Sequence, residues 1–166
     1  PAQVAEYRLV GYENLQLKRE DFANDAVDAG EIGAGHDVTA LYEIALVGSG
    51  GEWNAPLKYA AGARTPATGT AGELATVRLR YKAPEGGASR LLERPVRRAD
   101  IATTASPALQ WAAAVTAYGE RLRGGEALGG AGWPEVARWV DAAFAAAPDA
   151  RDAASRDELR RMVRQA

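Results

Sequence analysis

The sequence predicts an α+β fold: an antiparallel β-sheet or half-sandwich of about four or more strands, followed by a C-terminal helical hairpin and a short last helix. Three observations carry this reading. Apolar residues recur with a period of two in several stretches before Arg98, the period lengthens to 3.6 after it, and the two patterns are not interleaved. At 166 residues, 47% of them apolar, the chain is long enough to bury a core and reads as a single domain over 1–166, mainly β over 1–98 and helical over 99–166.

The first strand is expected over residues 4–12, VAEYRLVGY, where Tyr7, Leu9 and Val10 stand among charged residues. Glu13 to Val27 is more polar, with Leu15, Leu17 and Phe22 as apolar contacts and an acidic patch at Glu20, Asp21 and Asp25. It reads equally as a short helical turn or an irregular connection. Asp28 to His36, DAGEIGAGH, then sets Gly30, Gly33 and Gly35 beside the only histidine. That spacing calls for a backbone path closed to other residues, either a tight turn or a close approach by another segment. Val38 to Val47 follows as the most strand-like segment. Its second face is only half polar, which predicts a central place in the sheet.

Gly48 to Gly72 lacks periodicity and far exceeds the usual connection of about 4–6 residues. It reads as a surface loop that Trp53, Leu57 and Tyr59 pin to the sheet. In Leu74 to Lys82, Val77, Leu79 and Tyr81 alternate with Arg78, Arg80 and Lys82, the pattern of a half-exposed strand whose cations face solvent or an acidic partner. The turn APEGGAS (83–89) joins it to a partner strand at Arg90 to Val96, where Pro95 marks an edge.

Ser106 and Pro107 form an N-cap and first turn ahead of Trp111, Ala114, Val115, Tyr118 and Leu122, a helix expected to end at Gly124 and Gly125. The stripe makes Trp111 a core residue rather than part of an exposed aromatic face. A second helix starts near Pro134, with Val136, Val140, Ala143, Phe144 and Ala147 on one face, Trp139 beside it and Pro148 stopping it. Ser155 and Glu158 have capping-box spacing and open the last helix, with Leu159, Met162 and Val163 inward.

Composition excludes several classes. Lys and Arg number 20 against 22 Asp and Glu, a formal charge of −2 that supplies no field for nucleic acid or an anionic surface. With no cysteine, thiol catalysis, disulfides and thiolate metal sites are out. No apolar run approaches the roughly 20 residues that span a bilayer. The start at Pro1 reads as an excised piece of a longer protein.

Two chemical readings meet at the glycine corner. Asp25, Asp28, Glu31 and Asp37 supply hard oxygen ligands, but their spacing departs from the EF-hand pattern, and solvated or turn-capping acids are the simpler reading. His36 and Asp37 are adjacent, so in a strand they face opposite ways and form no dyad. No Gly-x-Ser-x-Gly elbow supplies a nucleophile, and the GEIGAG run precedes a strand, whereas a dinucleotide loop follows one.

YRLVGYEN (7–14), Asp21 to Phe22, Asp25, DAGEIGAGH (28–36) and VTALYE (38–43), in this order and spacing, resemble the C-terminal domain of YfbK-type bacterial von Willebrand factor type A proteins. LRYK (79–82), the AAAV helix with Tyr118, Gly119 and Leu122, and Glu158 to Val163 extend the likeness over nearly the whole chain. One position departs: the family carries an arginine after GYEN where Leu15 stands here. The resemblance implies a domain that follows a von Willebrand A module in an exported or lipid-anchored protein of the cell envelope, periplasmic or surface-exposed. The A module's Asp-x-Ser-x-Ser metal loop does not occur in these residues.

The expected function is therefore a non-enzymatic structural or protein-interaction module, without a cofactor or catalytic set. Its partners would be the A module of the same chain or a further protein. Asp28, Gly30, Glu31, Gly33, Gly35 and His36 are the candidate structural or interaction corner. The alternative is a metal-assisted hydrolase built on Asp28 to Asp37, favoured by an acidic pocket around Glu31 and His36; burial of the glycines against packed backbone would favour the structural reading. A sheet completed by other segments would leave this piece with an exposed edge or apolar patch.

Overall fold

The computed structural model describes residues 1–11, 18–27, 30, 32–54 and 72–166. Four strands in two two-stranded sheets precede three helices, so the α+β class holds: β1 (Val4–Val10), β2 (Leu41–Leu46), β3 (Glu73–Ala83), β4 (Gly86–Arg97), α1 (Pro107–Leu122), α2 (Trp133–Ala145) and α3 (Ala153–Gln165). The chain gathers into two compact units. One comprises Pro1–Arg8, Asn14–Val38 and Tyr42–Ala102; the other comprises Leu9–Glu13, Thr39–Leu41 and Thr103–Ala166. The helical region expected from 99 onward thus recruits the end of β1 and the start of β2.

In the first unit, β1 pairs with β2. The Val47 amide donates to the Gln3 carbonyl at 3.0 Å and Arg8 Nε donates to Glu43 Oε2 at 2.7 Å, so the two strands run in opposite directions. Strand β1 ends at Val10, where Gly11 takes φ +106°, outside the extended region; Tyr12 lies outside the described residues. Strand β2 starts at Leu41, leaving Val38 to Ala40 exposed, and among the described residues its only neighbour is β1. The expected central position is therefore not found. Tyr42 is exposed and Ala45 is the buried residue; apolar content marks a central strand only when both faces are covered, and exposed apolar side chains are common enough to mislead. After Gly48 the chain turns back, with the Glu52 carboxylate accepting from the Gly48 amide at 2.7 Å. Trp53 does pin the loop, lying 4.8 Å under the Arg8 guanidinium, and Asn54 Nδ2 donates to Glu6 at 2.9 Å. Leu57 and Tyr59 lie outside the described residues.

Strands β3 and β4 form the expected hairpin. Its turn is tighter than APEGGAS: Ala83 pairs with Gly86, leaving Pro84 and Glu85 at the tip. Gly86 and Gly87 sit at φ +80° and +95°, so the paired glycines serve a bulged strand end rather than a long loop. Opposite charges face each other in the register, Arg78 with Glu93 at 2.7 Å and Glu73 with Arg97 at 3.5 Å. Such pairs contribute about 0.2–1 kcal/mol each and disfavour a slip. Pro95 pairs with Thr76 inside the strand, tolerable because each strand of a two-stranded ribbon has a free edge.

The second unit is built around a helical core. Ala114 and Ala117 of α1, Val136, Val140 and Ala143 of α2, and Val163 of α3 are buried together, with Trp111, Tyr118, Leu128, Trp133 and Leu159 packed around them. Small residues on α1 let the valines of α2 approach closely. Ser106 caps α1 by accepting from the Leu109 amide at 3.2 Å, and Gly124 and Gly125 end it at φ +118° and +76°. The stripe is rotated from the expected one: Ala117 replaces Val115 and Leu122, which are exposed. Alanines fit either face, so periodicity alone left the choice to the larger side chains. Trp139 is likewise exposed. Helix α3 begins at Ala153 with Asp152 before it, not at a Ser155 cap, and Met162 faces outward. The Asp152 side chain caps no amide of α3; its carboxylate accepts from Arg156 Nε at 2.7 Å one turn on. Asp141 ties α3 to α2, accepting twice from Arg164 Nη2 at 2.9 and 2.8 Å. Among the described residues no helix is long and apolar enough to cross a membrane.

Candidate functional site

The β3–β4 hairpin has two chemically different faces, fixed by its register. Residues directly opposite across an antiparallel pair share a face. Arg78 with Glu93 and Arg80 with Leu91 lie on one side; Val77 with Arg94, Leu79 with Leu92 and Tyr81 with Arg90 lie on the other.

On the first face the cations are engaged rather than simply solvated. Arg80 Nη2 donates to Asp25 Oδ1 at 2.7 Å and also to the Ser89 hydroxyl. The Ser89 amide donates to Asp25 Oδ2 at 3.2 Å, and Lys82 Nζ donates to the Asp25 carbonyl oxygen at 2.6 Å. The carboxyl is held down to about 2, first by the Ser89 hydroxyl and amide and then by the Arg80 guanidinium. Asp25 thus anchors the turn that follows the 3₁₀ segment Arg19–Ala23 to the hairpin. An acid weighed as a metal ligand is instead engaged by a guanidinium and a serine.

The second face is apolar and open. Val77 is 56% exposed, Leu79 56%, Leu92 55% and Tyr81 40%. These four side chains form a short row along β3 that widens onto β4 at Leu92. Arg90 and Arg94 are also exposed and flank Leu92. Alternation along β3 made Val77, Leu79 and Tyr81 the natural core face; the fold leaves that face uncovered. Arg90 and Arg94 were absent from the sequence-derived candidates. Reading the Arg90-Leu92-Arg94 alternation against the hairpin register is the signal that finds them.

The glycine corner takes one of its two expected forms. Gly30, Gly33, Gly35, His36 and Asp37 are all exposed. Gly35 takes φ +79°, and the His36 amide donates to the Gly33 carbonyl at 3.1 Å, which makes this a tight turn. A Cβ on Gly33 would meet His36 Nδ1 at 3.0 Å, while one on Gly30 or Gly35 would meet open space. Of the two expected uses of glycine, turning accounts for Gly35, and no packed backbone lies against Gly30 or Gly35. Asp28 and Glu31 lie outside the described residues, as does Leu15. Among the described residues no three His, Asp or Glu side chains gather as a metal-binding group.

Comparison with known proteins agrees with the motif pattern. The family model described as "Uncharacterized protein YfbK, C-terminal" matches residues 1–166. The uncharacterized protein YfbK of Escherichia coli (strain K12) is 40% identical over 143 residues, covering 86% of this chain and 24% of that protein. The chain therefore spans about a quarter of the length of this curated relative. No solved structure matches.

Proposed function

The chain belongs to the YfbK C-terminal domain family, and on that premise we propose that it is a non-enzymatic interaction module accompanying a von Willebrand A domain in an exported bacterial protein. The observation that carries this reading is the open apolar row Val77, Leu79, Tyr81 and Leu92. A two-stranded ribbon is marginal by itself and needs a covered face or further strands. Among the described residues of the first unit, only Ala45 and Leu74 are buried apolar side chains, whereas the helical unit buries six. The exposed side chains of the hairpin offer a docking protein surface contiguous apolar area to cover, at about 25 cal/mol per Å².

In this reading the A module occupies part of the length by which the relative exceeds the matched region, and the protein works at the cell envelope, periplasmic or surface-exposed. The hairpin docks the A module or a further protein, and the glycine turn shapes the approach to β2. The test is capture of partners from cell-envelope extract with the full-length protein, the L79D/L92D variant and a variant lacking these 166 residues. Loss of the same partners from both variants supports the reading. Identical partner sets from all three reduce the domain to a brace and overturn it.

A further inference from the structure

The apolar row has a charged border on one side only. Along β4, Arg90 and Arg94 bracket Leu92 on the open face, while the β3 side of that face is Val77, Leu79 and Tyr81. Neither arginine is paired with a carboxylate among the described residues, in contrast to Arg78, Arg80 and Arg97 of the same hairpin, which are held by Glu93, Asp25 and Glu73. Residues 73–98 carry seven basic against three acidic residues, whereas the remainder of the chain carries thirteen against nineteen. The hairpin is thus a positive island in an acidic protein, with the cations of one face spent on its own acids and those of the other face unspent.

From this arrangement we infer that the open face receives an amphipathic protein segment whose apolar side chains cover Val77, Leu79, Tyr81 and Leu92 and whose carboxylates meet Arg90 and Arg94. The inference rests on the interaction-module reading and gives the partner its chemistry. The two arginines stand four positions apart along the strand, about 13 Å at the usual rise. Carboxylates seven residues apart share one helix face and lie about 10.5 Å apart at 1.5 Å per residue, a span that two long arginine side chains can meet, so two turns of helix cover the site. Arginine suits this role because its planar fork takes a carboxylate bidentately and is weakly hydrated beside apolar surface. A long acidic helix or strand fits the row; a bare polyanion such as nucleic acid leaves the four apolar side chains in water.

The test is selection from a displayed library of random peptides of about 15 residues, four helical turns, with the full-length protein as bait and the R90E/R94E and L79D/L92D variants as counter-baits. All four positions are exposed, and circular dichroism is to be used to check that each variant is folded. Recovered peptides are expected to alternate apolar positions with at least two Asp or Glu, and to bind R90E/R94E more weakly by on the order of tenfold or more, since like charges then face each other. R90E/R94E should itself select basic peptides.

Leucine-dependent peptides with no acidic preference would overturn this inference and leave the interaction face standing. Binding indifferent to L79D/L92D, or no enrichment, would remove both. Two further measurements close the alternatives: self-association in light scattering that L92D abolishes would assign the face to a second copy, and sedimentation with vesicles of anionic phospholipid that R90E/R94E abolishes would assign it to a membrane. Either result overturns the inference.

Discussion

Arg80 and Asp25, 55 residues apart in the chain, meet with Nη2 and Oδ1 2.7 Å apart. With the contacts of Lys82 and Ser89 to Asp25, this ion pair joins the turn ahead of the glycine corner to the Arg78–Arg80–Lys82 face of the hairpin. Its pH dependence follows from the carboxyl, lowered from 3.8 to about 2 by Ser89 and then Arg80. A depressed carboxyl adds stability that is fully present above its unfolded value and is lost as pH falls through the folded value. The clamp is therefore intact above about pH 4 and released between there and pH 2. In a carboxyl-carbon NMR titration Asp25 should show a midpoint near 2, moving toward 3.8 in Ser89→Ala; an Asp25 midpoint near 4 in the native protein would mean the clamp does not form. The Ser89 amide should exchange faster in Asp25→Asn.

Val140 and Val115 make a matched pair for the helical core. Val140 is 0% exposed against the small residues of α1, and Val115 points outward despite its place in the apolar repeat. Val140→Ala should cost about 2–3 kcal/mol through lost burial and the cavity left behind. Val115→Ala should stay within about 0.5 kcal/mol, as surface changes do. Urea denaturation followed by circular dichroism separates the two, and equal losses would restore the unrotated stripe.

Ser106 is the best-defined cap. Its hydroxyl accepts from the Leu109 amide at 3.2 Å while Pro107 occupies the first turn. Ser106→Ala leaves that amide to water and should cost about 1 kcal/mol, with Ser106→Asp restoring it. A melting temperature unchanged by the alanine would show that the start of α1 is frayed.

Arg156 lies 4.7 Å above the Trp111 ring while its Nε donates to Asp152. The tryptophan is partly buried, so Trp111→Ala should fall below the 3–5 kcal/mol of a fully buried aromatic. A double-mutant cycle of Trp111→Ala with Arg156→Met should give a coupling of about 0.5–1 kcal/mol. Purely additive losses would make the stacking incidental.

The helical half was the more legible in the sequence because its signals are local. Ser106-Pro107, Gly124-Gly125 and the Val136–Val140–Ala143 stripe each act within one or two turns, and each fell where expected. The rotated face of α1 was not legible, since alanine suits burial and exposure alike and only α2 decides which side is covered. In the β half, alternation alone fixed that Val77, Leu79 and Tyr81 share a face opposite Arg78, Arg80 and Lys82. Which of those faces is engaged depends on Asp25, far away in sequence, reaching Arg80, Lys82 and Ser89, and on the register that sets Arg90 and Arg94 beside Leu92. Periodicity, the Ser106 cap and the glycine stop of α1 are set by neighbours along the chain and can be read from it directly. Burial and charge pairing depend on residues far apart in the chain, so they emerge from the folded molecule alone.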